Sequence, residues 1–246
     1  MDSVSRQPPV DRSPAFATTH WSLVIAAGRR STPEAENALE QLCRTYWYPL
    51  YAFIRRRGHP SETAQDLTQG FFVKLLEKDS LAAANRNRGK FRTFLLAALK
   101  NFLSHESEKE RAAKRGGDRI LLSLYREEGE ARYLAEPVEA MTPEKLYEKR
   151  WATTVIEQAL QTLRTEYQQA GNRPLFDRLK DHLWGDRSAS YADIAQEFDM
   201  NEGSVKAAAF RLRRRFAQAL RDVISNTVHS PEAVEEELKT LVEAFG

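Results

Sequence analysis

The sequence predicts an all-α protein: two small helical domains joined by a linker, then an amphipathic C-terminal helix. Three observations carry this. Apolar residues recur three and four positions apart along most of the chain, the period of one helical face. Runs of alternating β-branched residues and Asn-Gly or Asp-Gly hairpin turns are missing from the sequence. The periodic pattern is interrupted in the middle, where Gly116 and Gly117 precede a stretch that mixes acids with Pro137 and holds no sustained period.

In chain order, residues 1–18 are rich in Ser, Pro and Arg and read as a mobile arm. A first helical domain spans 19–117. Within it, Thr18 or Thr19 caps a short helix ending near Gly28, and Thr32-Pro33-Glu34 opens a longer one. The apolar face of that longer helix is Ala35, Ala38, Leu39, Leu42, Tyr46, Leu50, Phe53 and Ile54, with a kink expected at Pro49. Ser61 is placed to cap a helix whose buried face is Ala64, Leu67, Phe71 and Leu75. A third block runs from about Gly89 to Arg115. Residues 118–142 read as the linker. Thr142-Pro143-Glu144 then repeats the cap chemistry of Thr32 and opens a second domain, 143–225. Residues 226–246 hold an acidic helix with Val234, Leu238, Leu241, Val242 and Phe245 at helical spacing and five glutamates assigned to its other face.

Composition agrees with a folded protein bearing charged helices: 41% of the 246 residues are hydrophobic and 29% charged. The net charge of +2 moves the question of partners from the whole chain to local patches. The single cysteine, Cys43, excludes a disulfide framework and a cysteine-rich metal site, fits a cytoplasmic protein, and falls in an apolar pattern as a small core residue. The longest wholly apolar run, Phe94 to Leu99, is far short of the roughly 20 residues that span a bilayer, so no membrane insertion is expected.

The most informative stretch is Tyr191 to Arg221. Ser190 can cap a helix with Ile194, Ala195 and Phe198 inside, and Asn201 can cap a second starting at Glu202. Two short helices joined by such a turn make a helix-turn-helix. The turn needs one residue with positive φ, and Asp199 stands where glycine is usual. Between Gly203 and Arg221 there are six basic residues and no acids: Lys206, Arg211, Arg213, Arg214, Arg215 and Arg221. Cations on a second helix of this kind suit DNA phosphates. Ala207 and Ala208 would let it approach the groove closely and touch thymine methyls. A solvated charged face is the plainer alternative for Arg213 to Arg215.

The first domain has a second basic region. From Arg86 to Arg119 there are ten Lys or Arg and four acids, with Phe91, Phe94 and Phe102 interleaved. Rings among cations suit single-stranded DNA, although Phe94 and Phe102 also lie on the apolar stripe of their helix. Asp66, Gln69 and Phe72 follow at steps of three. With Phe72 offset from the buried stripe, they read either as a protein-contact ridge with an aromatic anchor or as an ordinary solvated face.

Taken together, YWYPLYAFIRRRGH, SETAQDLTQGFFVKLLEK, RGKFRTFLLAALKNFLSHE and YADIAQEFDMNEGSVKAAAFRLRRRF resemble, in this order, the conserved stretches of bacterial RNA polymerase sigma factors of the extracytoplasmic-function class. LSLYREEGEARYLAEP, TPEKLYEKRWA and the acidic tail look like a planctomycete-like subgroup, and the resemblance covers roughly residues 19–246. It implies a sigma factor that binds core RNA polymerase, through its clamp helices and flap, and directs promoter recognition and melting. By that resemblance Asp66, Gln69 and Phe72 dock on polymerase. Phe91, Arg92 and Phe94 help open and hold the minus-ten strand, with Asn101, His105, Lys109, Arg111, Lys114 and Arg115 reading it or holding its backbone. Asn201, Ser204, Lys206, Ala207, Ala208, Arg211, Arg214 and Arg215 fall where the minus-thirty-five element is bound as duplex. An anti-sigma factor or a regulatory kinase is a further partner class the resemblance allows.

His105 and Ser107 stand where relatives often carry an aspartate and an aromatic. Ala207 and Ala208 replace the usual Ser and Arg, which shifts weight onto DNA shape.

The rival reading is a helix-turn-helix regulator that acts without polymerase. An enzyme is not expected: there is no Walker loop, HExxH helix or GxSxG elbow, and the five histidines lack ligand spacing. No catalytic residue, metal or cofactor is assigned. Trp151, Trp184 and Tyr191 read as core. The acidic tail is expected to pack on the C-terminal domain, and a sharper expectation has its glutamates screen the basic recognition helix.

Overall fold

The computed structural model describes residues 33–76, 90–112, 126–135, 141–185, 189–228 and 230–245. The arm, the short helix before Gly28, Lys114 and Arg115 lie outside them. The described residues form nine α-helices and no strand.

Helix α1, Pro33–Arg56, runs through Pro49 without a break. Toward its C-terminal end it is buried on all sides: Leu50, Tyr51, Ala52, Phe53 and Ile54 are each 0% exposed. Five consecutive apolar residues leave no polar face, so this part of the helix must be enclosed. The enclosure comes from α2 (Ser61–Leu76), α3 (Phe91–Ala112) and α5 (Pro143–Gln169). Ser61 is the first helical residue rather than the cap; the Pro60 carbonyl already accepts from the Ala64 N–H at 2.8 Å.

The segment read as a linker contains a helix, α4, Arg126–Ala135. Glycine in mid-sequence hides it, since glycine disfavours helices. Tertiary packing requires that glycine. A Cβ on Gly129 would lie 2.7 Å from the Trp47 ring. Glu130 accepts from Arg55 Nε at 3.0 Å and Nη2 at 2.8 Å, and also from the Tyr51 hydroxyl.

Helix α5 starts where predicted, with the Thr142 hydroxyl accepting from the Lys145 N–H. It belongs to two cores. Tyr147, Trp151, Ala152 and Val155 pack with α1, α2 and α3, whereas Ala159 and Leu163 pack with Phe176, Leu179, Ile194, Val205 and Leu212. Helices α6 (Arg173–Leu179), α7 (Tyr191–Glu197) and α8 (Glu202–Ser225), with the 3₁₀ segment Lys180–Trp184, complete the second core. Ile224, near the end of α8, returns to the first. The structure therefore does not divide into two separate cores at residue 142. The physical reason is length: 27 helical residues reach about 40 Å, enough for one helix to pack in both clusters.

Helix α9, Pro231–Glu243, buries Val234 and Leu241 in the first core. The predicted stripe is rotated. Val242 and Phe245 are 70% and 50% exposed, and Glu237, assigned to the polar face, is 2% exposed. Positions 234, 237, 238 and 241 form the true inner face at the 3.6-residue period. Trp184, read as core, is largely exposed with one edge against Phe216. No helix among the described residues is long and apolar enough to cross a membrane.

Candidate nucleic-acid interface

The helix-turn-helix forms as its caps dictate. The Ser190 hydroxyl accepts from the Asp193 N–H, and the Asp193 carboxylate accepts from the Ser190 N–H at 2.9 Å, a reciprocal capping box that starts α7. The Ser190 hydroxyl also donates to the Asp193 carboxylate at 2.7 Å, and this bond, with the one from the Ser190 N–H, holds the carboxyl below its ordinary value. Asp199 adopts φ +52°, the left-handed turn residue expected there, and the Met200 N–H bonds back to the Ala195 carbonyl at 2.8 Å. The Asn201 side chain accepts from the Ser204 N–H at 2.7 Å and starts α8. Asn201 is exposed but its oxygen is engaged in the cap, and Ser204 is half-buried.

Along α8 the pattern splits cleanly. Val205, Ala208, Ala209, Leu212 and Phe216 face the core; Lys206, Ala207, Phe210, Arg211 and Arg214 face solvent. Ala208 is thus a packing residue, 5% exposed, and not a groove contact as expected. It lies four residues before Leu212 on the inner stripe. Phe210, which the sequence reading passed over, is 60% exposed between Lys206 and Arg214 on the outer ridge. An exposed ring on the second helix of this motif was a legible signal.

The arginines also divide. Arg211 and Arg214 are exposed and make no hydrogen bond or ion pair among the described residues. Arg213 turns back to donate to the Tyr191 hydroxyl at 3.1 Å and the His182 carbonyl at 3.3 Å. Arg215 pairs with Glu166 at 2.6 Å, which raises its guanidinium pKa, and Lys206 pairs with Glu202 at 2.7 Å.

On α2, Asp66 is exposed and Gln69 half-exposed, but Phe72 is 2% exposed, edge-on to Phe71. The expected exposed aromatic anchor is therefore a core residue. The inner stripe of α2 is wider than read, taking in Thr68 and Phe72 beside Ala64, Phe71 and Leu75. Val73, 46% exposed, is the apolar residue beside that ridge.

On α3, Asn101 and His105 are exposed, and His105 Nδ1 lies 3.7 Å from the Glu108 carboxylate. The side chains of Lys109 and Arg111 lie outside the described residues. Phe94 is half-buried, stacked on Phe91, and Phe91 is itself buried edge-on to Tyr46. Arg92, expected at the melted strand, is 6% exposed. Its Nε donates to Glu237 of α9 at 2.7 Å, its Nη1 to Glu148 of α5, and its guanidinium lies 4.9 Å from the Trp151 ring centre. The Tyr147 hydroxyl donates to the Arg92 carbonyl at 3.0 Å. Lys90 Nζ donates to Thr240 Oγ1 at 3.2 Å and lies 3.8 Å from Glu237.

Burial pulls the Arg92 guanidinium down, but the Glu237 and Glu148 carboxylates outweigh it and the net shift is upward. Burial raises the Glu237 carboxyl, and Arg92 and Lys90 offset that only in part. Removing Arg92 would leave Glu237 buried with only the more distant Lys90 beside it, at a cost of about 3–5 kcal/mol.

The acidic helix does not screen the recognition ridge. Glu235 pairs with Arg221 at 3.0 Å and Glu237 with Arg92, while Arg211 and Arg214 stay open. The structure thus brings Lys206, Ala207, Arg211 and Arg214 together on one accessible face, leaves Ala208 inside, and closes the face at Phe91 and Arg92. Compared with protein-family models, with curated proteins and with solved structures, the chain finds no match.

Proposed function

We propose that this protein is an RNA polymerase sigma factor, joining core polymerase and directing promoter recognition and melting. One observation carries the DNA-binding half of the reading: a capped helix-turn-helix whose second helix presents Lys206, Ala207, Phe210, Arg211 and Arg214 on one solvent face. A helix bearing cations and one apolar ring can lie in a major groove, the cations on phosphates and the ring against a thymine methyl. The polymerase half rests on the ordered sequence resemblance and on Asp66 and Gln69 reaching the surface of α2. Two weak contacts on one tethered complex reinforce each other through effective concentration.

The test is transcription from a promoter library with purified bacterial core polymerase, with and without this protein. Transcripts that depend on the protein, and that Asp66→Arg or Gln69→Arg abolishes without loss of duplex binding, are the expected result. Duplex binding without polymerase association or new transcripts would overturn it in favour of a regulator acting alone. That second reading is favoured by the same α8 face, which by itself requires no polymerase.

A further inference from the structure

We propose that α9 is an acidic latch: its Glu237 carboxylate occupies the phosphate-binding position at Arg92, closing the strand-opening face of α3 while leaving the duplex-binding face of α8 free. The inference deepens the proposed function and rests on it for the identity of the displaced ligand.

The chemistry of the contact is that of a substitute. A guanidinium offers carboxylate the same forked donors it offers phosphate. Arg92 is held by carboxylates from two helices, Glu237 of α9 and Glu148 of α5, and Lys90 reaches the same helix through Thr240. Glu237 is 2% exposed, so the closed state excludes a phosphate from this arginine.

The construction of α9 suits release. Val234 and Leu241 are its buried apolar side chains, with Ala233, Leu238 and Ala244 partly buried beside them. Its outer side carries Glu232, Glu235, Glu236 and Val242 in solvent. Its departure takes no strand or helix out of the middle of either core, the usual property of a low-stability unit. The contact is also selective. Among the described residues, the Glu235–Arg221 ion pair joins it to α8 beyond the recognition ridge.

Duplex binding can therefore precede opening of the latch. Once α9 leaves, Arg92 keeps Glu148 of α5 on Nη1, and the Nε side that Glu237 held is freed for a phosphate.

Two opposed manipulations test this on the full chain. Glu237→Lys places a like charge against Arg92 and opens the latch. Lys90→Cys with Thr240→Cys, joined by a disulfide-containing bis-maleimide, holds it shut until reduced; Cys43 is buried and does not compete. The probes are a fluorescein-labelled single-stranded DNA of mixed sequence and a duplex of the same length, read by anisotropy.

Opening is expected to tighten single-strand binding about tenfold or more, as for a binding-competent state raised from a minor population. Arg92→Ala added to Glu237→Lys should cancel the gain. The cross-linked protein should lose single-strand binding and regain it on reduction, with duplex affinity unchanged throughout.

Equal single-strand affinity in the cross-linked and reduced forms overturns the latch, even if Glu237→Lys fails to fold. Parallel loss of duplex affinity on cross-linking also overturns it. Failure of the sigma reading shows separately, as no protein-dependent transcripts from the wild-type chain with core polymerase.

Discussion

At the scale of single residues, exposure sorts the charged and aromatic side chains into contacts and scaffolding. Arg211 and Arg214 are open cations, so each replaced by alanine should weaken duplex binding across all sequences and lower the salt slope by about 1. Phe210→Ala should leave that slope intact and reduce discrimination at one base step. Anisotropy titrations over a salt series distinguish the two. Phe72 behaves oppositely. It is enclosed at 2% exposure, so Phe72→Ala should cost about 3–5 kcal/mol of stability in urea unfolding, and any loss of polymerase binding would follow from that. Asp66 and Gln69 are the residues of that ridge that test a surface contact. Cys43 shows the same logic in a core position: burial and the nearby Glu40 push its thiol up to about 12, so it stays a protonated packing group at neutral pH.

At the scale of elements, α4 is docked in part through one charged group, Glu130, held by Arg55 and Tyr51. Burial raises the Glu130 carboxyl, but the Arg55 and Tyr51 hydrogen bonds outweigh it, and its pKa is lowered. A lowered carboxyl stabilises the fold above its unfolded value, ordinarily about 4.5, and loses that contribution as pH falls through the folded value. Wild type should therefore be more stable than Glu130→Gln at neutral pH, and urea denaturation should show the difference shrinking from about pH 4.5 downward. A constant difference across this range would show that Glu130 acts through shape alone. The caps illustrate the opposite case. Thr142, Ser190, Asn201 and Ser230 accept from the third residue onward, as local chemistry alone dictates.

At the scale of the whole molecule, the two cores share α5 and α8 as continuous struts. A helix that crosses both cores cannot melt in one without losing packing in the other. Tryptophan fluorescence and far-ultraviolet dichroism should therefore report coincident urea transitions. Leu163→Ala in the second core and Val155→Ala in the first should move both probes together. Separate transitions would mean that α5 frays between Val155 and Ala159 and that the cores unfold independently. The arrangement also brings residues far apart in sequence into one network, with Arg92 of α3 clamped between α5 and α9.

What the sequence determined by itself is local. Helical period, Ser, Thr and Asn caps, the positive-φ position at Asp199 and the all-α class depend on residues within a turn or two of each other. The α4 helix, the burial of Phe72 and Ala208, the rotation of α9 that sends Glu237 inward and the closing of Arg92 were decided by tertiary structure. Each turns on which apolar surface a distant helix offers and which charge it brings, and a one-dimensional period gives a helix its stripe without saying how wide the neighbouring helices will make it.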